Sequence, residues 1–341
     1  MSVFIIAEAG VNHNGDPDRA LRMIDVAAEA GADAIKFQTF TADKLVGLTA
    51  EKAEYQKIQT GGGSQHEMLK SLEMSEELHS RLFDRCGECG IEFMSTPFDE
   101  EAADFLIALG MNRIKVPSGE VVNHRLLRHL ASKLRPMIVS TGMATMDEVA
   151  EAVDVVRKTW RECQPAEDPP LTVLHCTSNY PAEAREVNLR AMTAMAEELN
   201  VPVGYSDHTL GTAISIAAVG RGATVIEKHF TLDRGLPGPD HAASLTPKEL
   251  GEMVAAIRSV DLALGSAVKA PTASEIAVRA VARRSVTVRR DLKIGHVIET
   301  EDIDLLRPAD GIEPKFFDQV VGRRLGQAVR AGSPLKWEHL V

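Results

Sequence analysis

Apolar residues in this chain gather into short unbroken runs, and longer amphipathic stretches separate them. The runs are Phe4–Ala7, Ala34–Thr39, Glu92–Ser95, Arg113–Val116, Met137–Ser140, Thr172–Cys176, Val203–Tyr205 and Val225–Lys228. Continuous apolar runs of this kind, without polar alternation, mark parallel strands buried on both faces. The stretches between them have helical spacing and readable ends. Asp16-Pro17 supplies an N-cap and first helical residue, Leu21, Ile24 and Ala28 form an apolar stripe, and Gly31 ends the helix. Thr145 with Glu148 and Thr246 with Glu249 are capping boxes, in which each side chain satisfies the other residue's backbone N–H. Eight strand–helix repeats predict an α/β fold, a (β/α)8 TIM barrel, with a doubly wound open sheet as the alternative.

Two stretches break the alternation. The segment from Thr41 to about Met74 is too long for an ordinary strand-to-helix loop. Its tip, Thr60-Gly-Gly-Gly-Ser64, falls on the catalytic side of a barrel, so the segment reads as a lid or as a plain insertion. After Leu264 the pattern fades into small residues and Pro271. The expected organisation is a barrel over 1–264, a linker over 265–281 and a small mainly-β domain over 282–341. In that last domain Ser285–Val288, His296–Ile298 and Ile303–Leu306 read as short strands, with a turn at Asp291–Gly295. Its core is thin, so it is expected to dock onto something.

Composition narrows the function. The 341 residues carry a net charge of −11, which argues against a nucleic-acid or acidic-membrane partner. An anionic substrate therefore needs a local basic pocket. No apolar run is long enough to span a bilayer, and Val3–Ala7 follows the start without a basic leader, so the expected compartment is the cytoplasm. Cys86 and Cys89 form a lone CxxC at a helix end, with no second pair to complete a zinc site; free thiols are expected.

Chemistry collects where strands end, which in a barrel is the catalytic rim. Glu8 follows the first strand; Lys36 and Gln38 share one face of the second. Thr96 ends the third, Lys115, Ser118 and Glu120 the fourth, and Ser140 the fifth. Ser178 and Tyr180 follow the sixth, Ser206 and His208 close the seventh, and His229 closes the eighth. Two inward lysines are costly to bury without counter-charge, and among hydroxyl donors they make a pocket for phosphate or carboxylate. His208 and His229, on consecutive strand ends with carboxylates nearby, suit a divalent metal acting as Lewis acid. On spacing alone they suit hydrogen-bonded structural histidines as well. His13 and His175 have no evident partner ligands. Lys228 alternates to the opposite face from His229 and reads as structural.

These residues carry a resemblance. Ala7-Glu-Ala-Gly-x-Asn-His-Asn-Gly15, Lys36-Phe-Gln-Thr39, Ser95-Thr-Pro-Phe98, Lys115-x-Pro-Ser-Gly-Glu120, Ser140-Thr-Gly-Met143, Tyr205-Ser-Asp-His208, Glu227-Lys-His-Phe230 and Gly238-Pro-Asp-His241 resemble the sialic acid synthase family in order and over the whole chain. The closing segment, with Asp291–Gly295 and Arg307-Pro308, is similar to that family's antifreeze-like (SAF) domain. The resemblance implies condensation of phosphoenolpyruvate with an N-acetylated mannose-type sugar to give a 2-keto acid and phosphate. Lys36, Thr96, Lys115, Ser118, Ser140, Ser178 and Ser206 then match the phosphoenolpyruvate-binding positions. Some relatives carry Asn where Ser178 stands; Ser is the shorter donor, so that contact is expected to be lost or water-mediated. His208 and His229 match the ligands of Mn²⁺ or Mg²⁺. Glu8, Gln38, Glu120, Tyr180 and Asp240 match the region of the sugar and the attacking water, with Glu8 or Glu120 as proton acceptor. Arg307 matches an arginine that reaches the sugar from a partner subunit, implying a domain-swapped homodimer. The expected acceptor is N-acetylmannosamine, to give N-acetylneuraminate, with 2,4-diacetamido-2,4,6-trideoxymannose as the alternative, to give N,N'-diacetyllegionaminate.

Two other function classes fit the residues less well. A keto-acid lyase would release pyruvate, not phosphate. A sugar- or ice-binding protein would leave the lysine and histidine rim unexplained, and the tail has no repeated flat Thr/Ala face.

Overall fold

The computed structural model describes residues 2–341. The chain forms two units, one ending at Gly265 and one over Ser266–Val341.

In the first unit the eight apolar runs become parallel strands β1 (Phe4–Gly10), β2 (Ala34–Thr39), β3 (Glu92–Pro97), β4 (Ile114–Val116), β5 (Met137–Ser140), β6 (Leu171–Cys176), β7 (Val203–Asp207) and β8 (Val225–His229). The hydrogen-bonded order is β3-β2-β1-β8-β7-β6-β5-β4, and β3 and β4 lie beside each other to close the barrel. Several strands run further than the apolar pattern predicts. β1, β7 and β8 continue through Glu8, Asp207 and His229 because ladder hydrogen bonds do not depend on side-chain polarity.

Alternation along the strands divides the core in two. Outward residues such as Ile5, Ile35, Val116, Val139, Val173, Tyr205 and Ile226 pack against the surrounding helices. Inward residues Ile6, Ala34, Met94, Ile138, Leu174 and Val225 form a separate apolar layer inside the barrel. One step further along each strand the interior turns polar. The helices begin where the caps predict: the Asp16 carboxylate accepts from the N–H of Asp18 and Arg19, and the Thr145 and Thr246 boxes are both formed.

The segment after β2 is more ordered than a loop. It holds helices Ala42–Leu45, Glu54–Thr60 and Gln65–Lys70, anchored by a small cluster of Val11, Phe40, Met68 and Leu72. The Gly61–Gly63 tip is tied down, since Lys52 Nζ donates to the carbonyls of Gly61 (3.2 Å) and Gly62 (2.7 Å).

The second unit opens with helix Ala273–Ala282, which occupies much of the stretch read as linker. β9 (Ser285–Val288) pairs antiparallel with β10 (Ile303–Leu306) over a core of Val286, Val288, Leu292, Ile298, Ile303, Ile312, Val320, Leu325, Val329 and Leu335. His296–Ile298 is not a strand; Val297 makes only an isolated bridge to Arg324. No helix among the described residues is long and apolar enough to cross a membrane.

Candidate active site

The polar layer at the C-terminal ends of the strands surrounds a cavity of about 490 Å³. Two fully buried lysines dominate it. Lys36 Nζ lies 2.7 Å from Glu8 Oε2, 3.7 Å from Glu227 Oε2 and 2.9 Å from Thr96 Oγ1. Lys115 Nζ lies 3.6 Å from Glu227 Oε1, which also accepts from Ser206 Oγ at 2.9 Å. Each buried cation therefore has a carboxylate, as desolvation requires.

The two carboxylates are in different states. Burial pushes Glu227 upward, but Lys115 and Lys36 outweigh that and hold it well below the usual carboxylate range. Glu8 is raised to about 7, chiefly by burial, with Lys36 opposing and Glu227 reinforcing. Near neutrality Glu8 can thus take or give a proton. With Glu8 protonated the quartet carries a net positive charge, which suits an anion in a chain that is acidic overall.

Hydroxyls line one side. Ser118, Ser140, Ser178 and Ser206 all border the cavity, and Ser140 Oγ is buried without a hydrogen-bond partner. A Cβ at Gly142 would come within 2.1 Å of Ser178 Oγ and 3.0 Å of Ser118 Oγ, so only glycine allows both hydroxyls to crowd this backbone. The Gly142 N–H donates to Ser118 Oγ at 2.9 Å.

The histidines stand beside this hydroxyl wall, at the ends of β7 and β8: His208 Nδ1 is 3.8 Å from Cys176 Sγ, which is 3.7 Å from Ser118 Oγ. The His208 and His229 rings are 5.4 Å apart, and both line the cavity. His208 Nδ1 meets the Thr177 carbonyl at 2.8 Å, which orients the ring and leaves Nε2 to serve as a ligand. His229 Nδ1 is buried without a hydrogen-bond partner, 4.0 Å from Asp240 Oδ2. Burial first, then neighbouring His208, hold His229 well below the usual imidazole value, so it is neutral with a lone pair to offer. Among the described residues no three His, Cys, Asp or Glu side chains form a ready-made metal cage. Burial lowers the His208 value, but neighbouring Cys176 outweighs it and holds the ring above the usual imidazole range. Deprotonated as metal binding requires, His208 and the neutral His229 with its orphaned nitrogen fit a divalent ion whose remaining positions are filled by substrate or water.

The other expected residues are placed unevenly. Gln38 Nε2 is 3.4 Å from Glu8 Oε1, and Tyr180 stacks over His208 with ring centroids 4.1 Å apart. Glu120 sits on the turn after β4, half-buried, accepting from Asn123 Nδ2 at 2.7 Å; its neighbours Ser118 and Gly119 line the cavity, and it does not. Arg307 is exposed just past β10 in the second unit. His175 is spent on the Val187 carbonyl, and His13 Nδ1 accepts from the Gly15 N–H.

Other contributors are hard to see in the sequence. Glu227 is inconspicuous because it lies in an apolar run, although alternation puts it on the same face as Val225 and His229. Tyr55, on Glu54–Thr60, stacks on Tyr180 at 5.3 Å, and with Gln56 and Gln65 it brings the segment after β2 to the cavity. No local sequence signal marks those three.

A model of the NeuB family matches residues 23–269, and one of the SAF domain matches 283–341. The chain belongs to the NeuB family. It is 53% identical to the N,N'-diacetyllegionaminic acid synthase of Legionella pneumophila, covering 100% of this chain and 95% of that protein. It is 42% identical to the Campylobacter jejuni protein of the same name, covering 94% of each. Among solved structures, the N-acetylneuraminic acid synthetase of Leptospira borgpetersenii, in complex with citrate, superposes with a TM-score of 0.72 at 36% identity, over 82% of this chain and 90% of that one. With the NeuB family comes the class: a nonulosonic acid synthase, a transferase that forms a carbon–carbon bond from phosphoenolpyruvate.

Proposed function

We propose that this chain is an N,N'-diacetyllegionaminate synthase, joining phosphoenolpyruvate to 2,4-diacetamido-2,4,6-trideoxymannose with release of phosphate. The substrate class rests on one observation above all, the buried Lys36–Lys115 pair with its carboxylates inside a hydroxyl-lined barrel mouth. The acceptor rests on the 53% identity, over the whole chain, to a legionaminic acid synthase. That identity supports the diacetamido sugar over N-acetylmannosamine, and the 36% identical neuraminic acid synthetase supports N-acetylmannosamine as the second reading.

Lys36 and Lys115 hold the phosphate and carboxylate of phosphoenolpyruvate, with Thr96, Ser118, Ser140, Ser178 and Ser206 donating to their oxygens. The enol carbon attacks the open-chain aldehyde carbon of the sugar, whose C=O π pair moves onto its oxygen, leaving positive charge at the carbon that bears the phosphate oxygen. Water adds there, and its proton passes by way of Glu8 to the new alkoxide. The tetrahedral intermediate then breaks its C–O bond to phosphate, its hydroxyl proton leaves with the phosphate as the ketone forms, and the lysines stabilise charge on the departing group. His208 and His229 would hold a divalent ion, Mn²⁺ or Mg²⁺, which when bound supplies Lewis-acid activation of the aldehyde. Gln38, Tyr180 and Asp240 orient the sugar, and Arg307 reaches it from a second copy in a homodimer. Four free cysteines accord with a reducing cytoplasm.

The test is a comparison of kcat/KM for the two acceptors by phosphate release. The diacetamido sugar should lead by roughly 10- to 100-fold, the range that a few pocket contacts can give. The reverse order would make the chain a neuraminate synthase. Pyruvate formed without phosphate would point to the lyase.

A further inference from the structure

β7 and β8 each carry a charged residue on the outer face, immediately before a candidate metal-binding histidine. Asp207 and Lys228 stand opposite each other in register and are 0% exposed, with Nζ 3.0 Å from Oδ2. Their polar atoms are well occupied. Asp207 Oδ1 accepts from the N–H (2.9 Å) and Oγ1 (2.8 Å) of Thr209. Its Oδ2 also accepts from Ser215 Oγ at 2.6 Å, on helix Ala213–Gly220. Lys228 Nζ donates to the Thr209 carbonyl as well. The backbone of His208 is thus gripped on both sides, and its own carbonyl accepts from the Ala182 N–H at 2.9 Å.

Stability is a poor reason for such a pair. A buried ion pair costs desolvation, and apolar residues of similar volume often do as well or better. What the network does supply is position. Successive strand residues point to opposite faces, so locking the side chains of 207 and 228 outside fixes where 208 and 229 point inside.

We propose that the Asp207–Lys228 pair is a positioning device that sets the separation and aim of the His208 and His229 imidazoles, and through them the affinity for a divalent cation. This rests on the reading of those histidines as ligands. The test needs no turnover. Mn²⁺ is titrated into the chelator-stripped full chain without substrates, and the free-ion EPR signal is followed. Lys228→Met and Asp207→Asn should each weaken binding about tenfold or more, as loss of groups that orient ligands does. Circular dichroism and thermal melts accompany each, and if one variant does not fold the other decides. Ile257→Ala, a core change in helix Pro247–Leu264, supplies a destabilised control that should keep wild-type affinity. Unchanged Mn²⁺ affinity in the folded variants would overturn the proposal. Equal weakening in Ile257→Ala would overturn it too, since stability alone would then explain the loss. Failure of the wild-type chain to bind Mn²⁺ would remove the ligand reading and the proposal together.

Discussion

At the residue scale, burial separates two glutamates that the sequence left equivalent. Glu8 lies within β1 and Glu120 on the turn after β4; both match the family pattern, but only Glu8 is buried against Lys36 and raised to about 7. Glu120 is tied to Asn123 at the edge. Glu8→Gln should therefore lower kcat by ~10²–10⁴-fold, the usual worth of a general base, with little change in phosphoenolpyruvate binding measured by calorimetry. Glu120→Gln should cost far less, and the opposite ranking would exchange their roles. The lysines and histidines were legible because charge at the end of an apolar run is conspicuous. Glu227 was not, because its partners, Lys36, Lys115 and Ser206, come from three other strands and meet only when the barrel closes.

At the scale of elements, strand positions followed from the apolar runs and helix starts from Asp16, Thr145 and Thr246. What sequence pattern could not give was the segment after β2. Its helices are short, Glu54–Thr60 has no buried residue, and a helix that brief has little intrinsic stability. It is held by tertiary contacts, among them the stacking of Tyr55 on Tyr180, which in turn packs tilted against His208 and joins the segment to the cavity. Tyr55→Ala should raise the acceptor KM severalfold and leave the phosphoenolpyruvate KM nearly unchanged, because Tyr55 lies on the histidine side of the site. An equal rise in both constants would show that the helix shapes the whole cavity.

For the whole molecule, the two units answer to different signals. The barrel was readable from repetition, whereas the second unit has few regular elements and its core depends on loops such as that around Ile312. The proposal that Arg307 serves a second copy has a direct consequence. His229→Ala and Arg307→Ala should each be nearly inactive, and exchange between them should recover about a quarter of wild-type activity, since about half the dimers are mixed and each has one intact site. No recovery, with subunit exchange shown by native mass spectrometry, would place Arg307 in its own subunit's site or in none.

The central claim is that the barrel mouth joins phosphoenolpyruvate to an acylated amino sugar. The purified chain is incubated with Mn²⁺, phosphoenolpyruvate and the diacetamido sugar, and phosphate and product mass are measured together. One phosphate should appear for each new 2-keto acid, whose mass is that of the sugar plus pyruvic acid. Phosphate released without the sugar, or free pyruvate in place of the condensed acid, would contradict it.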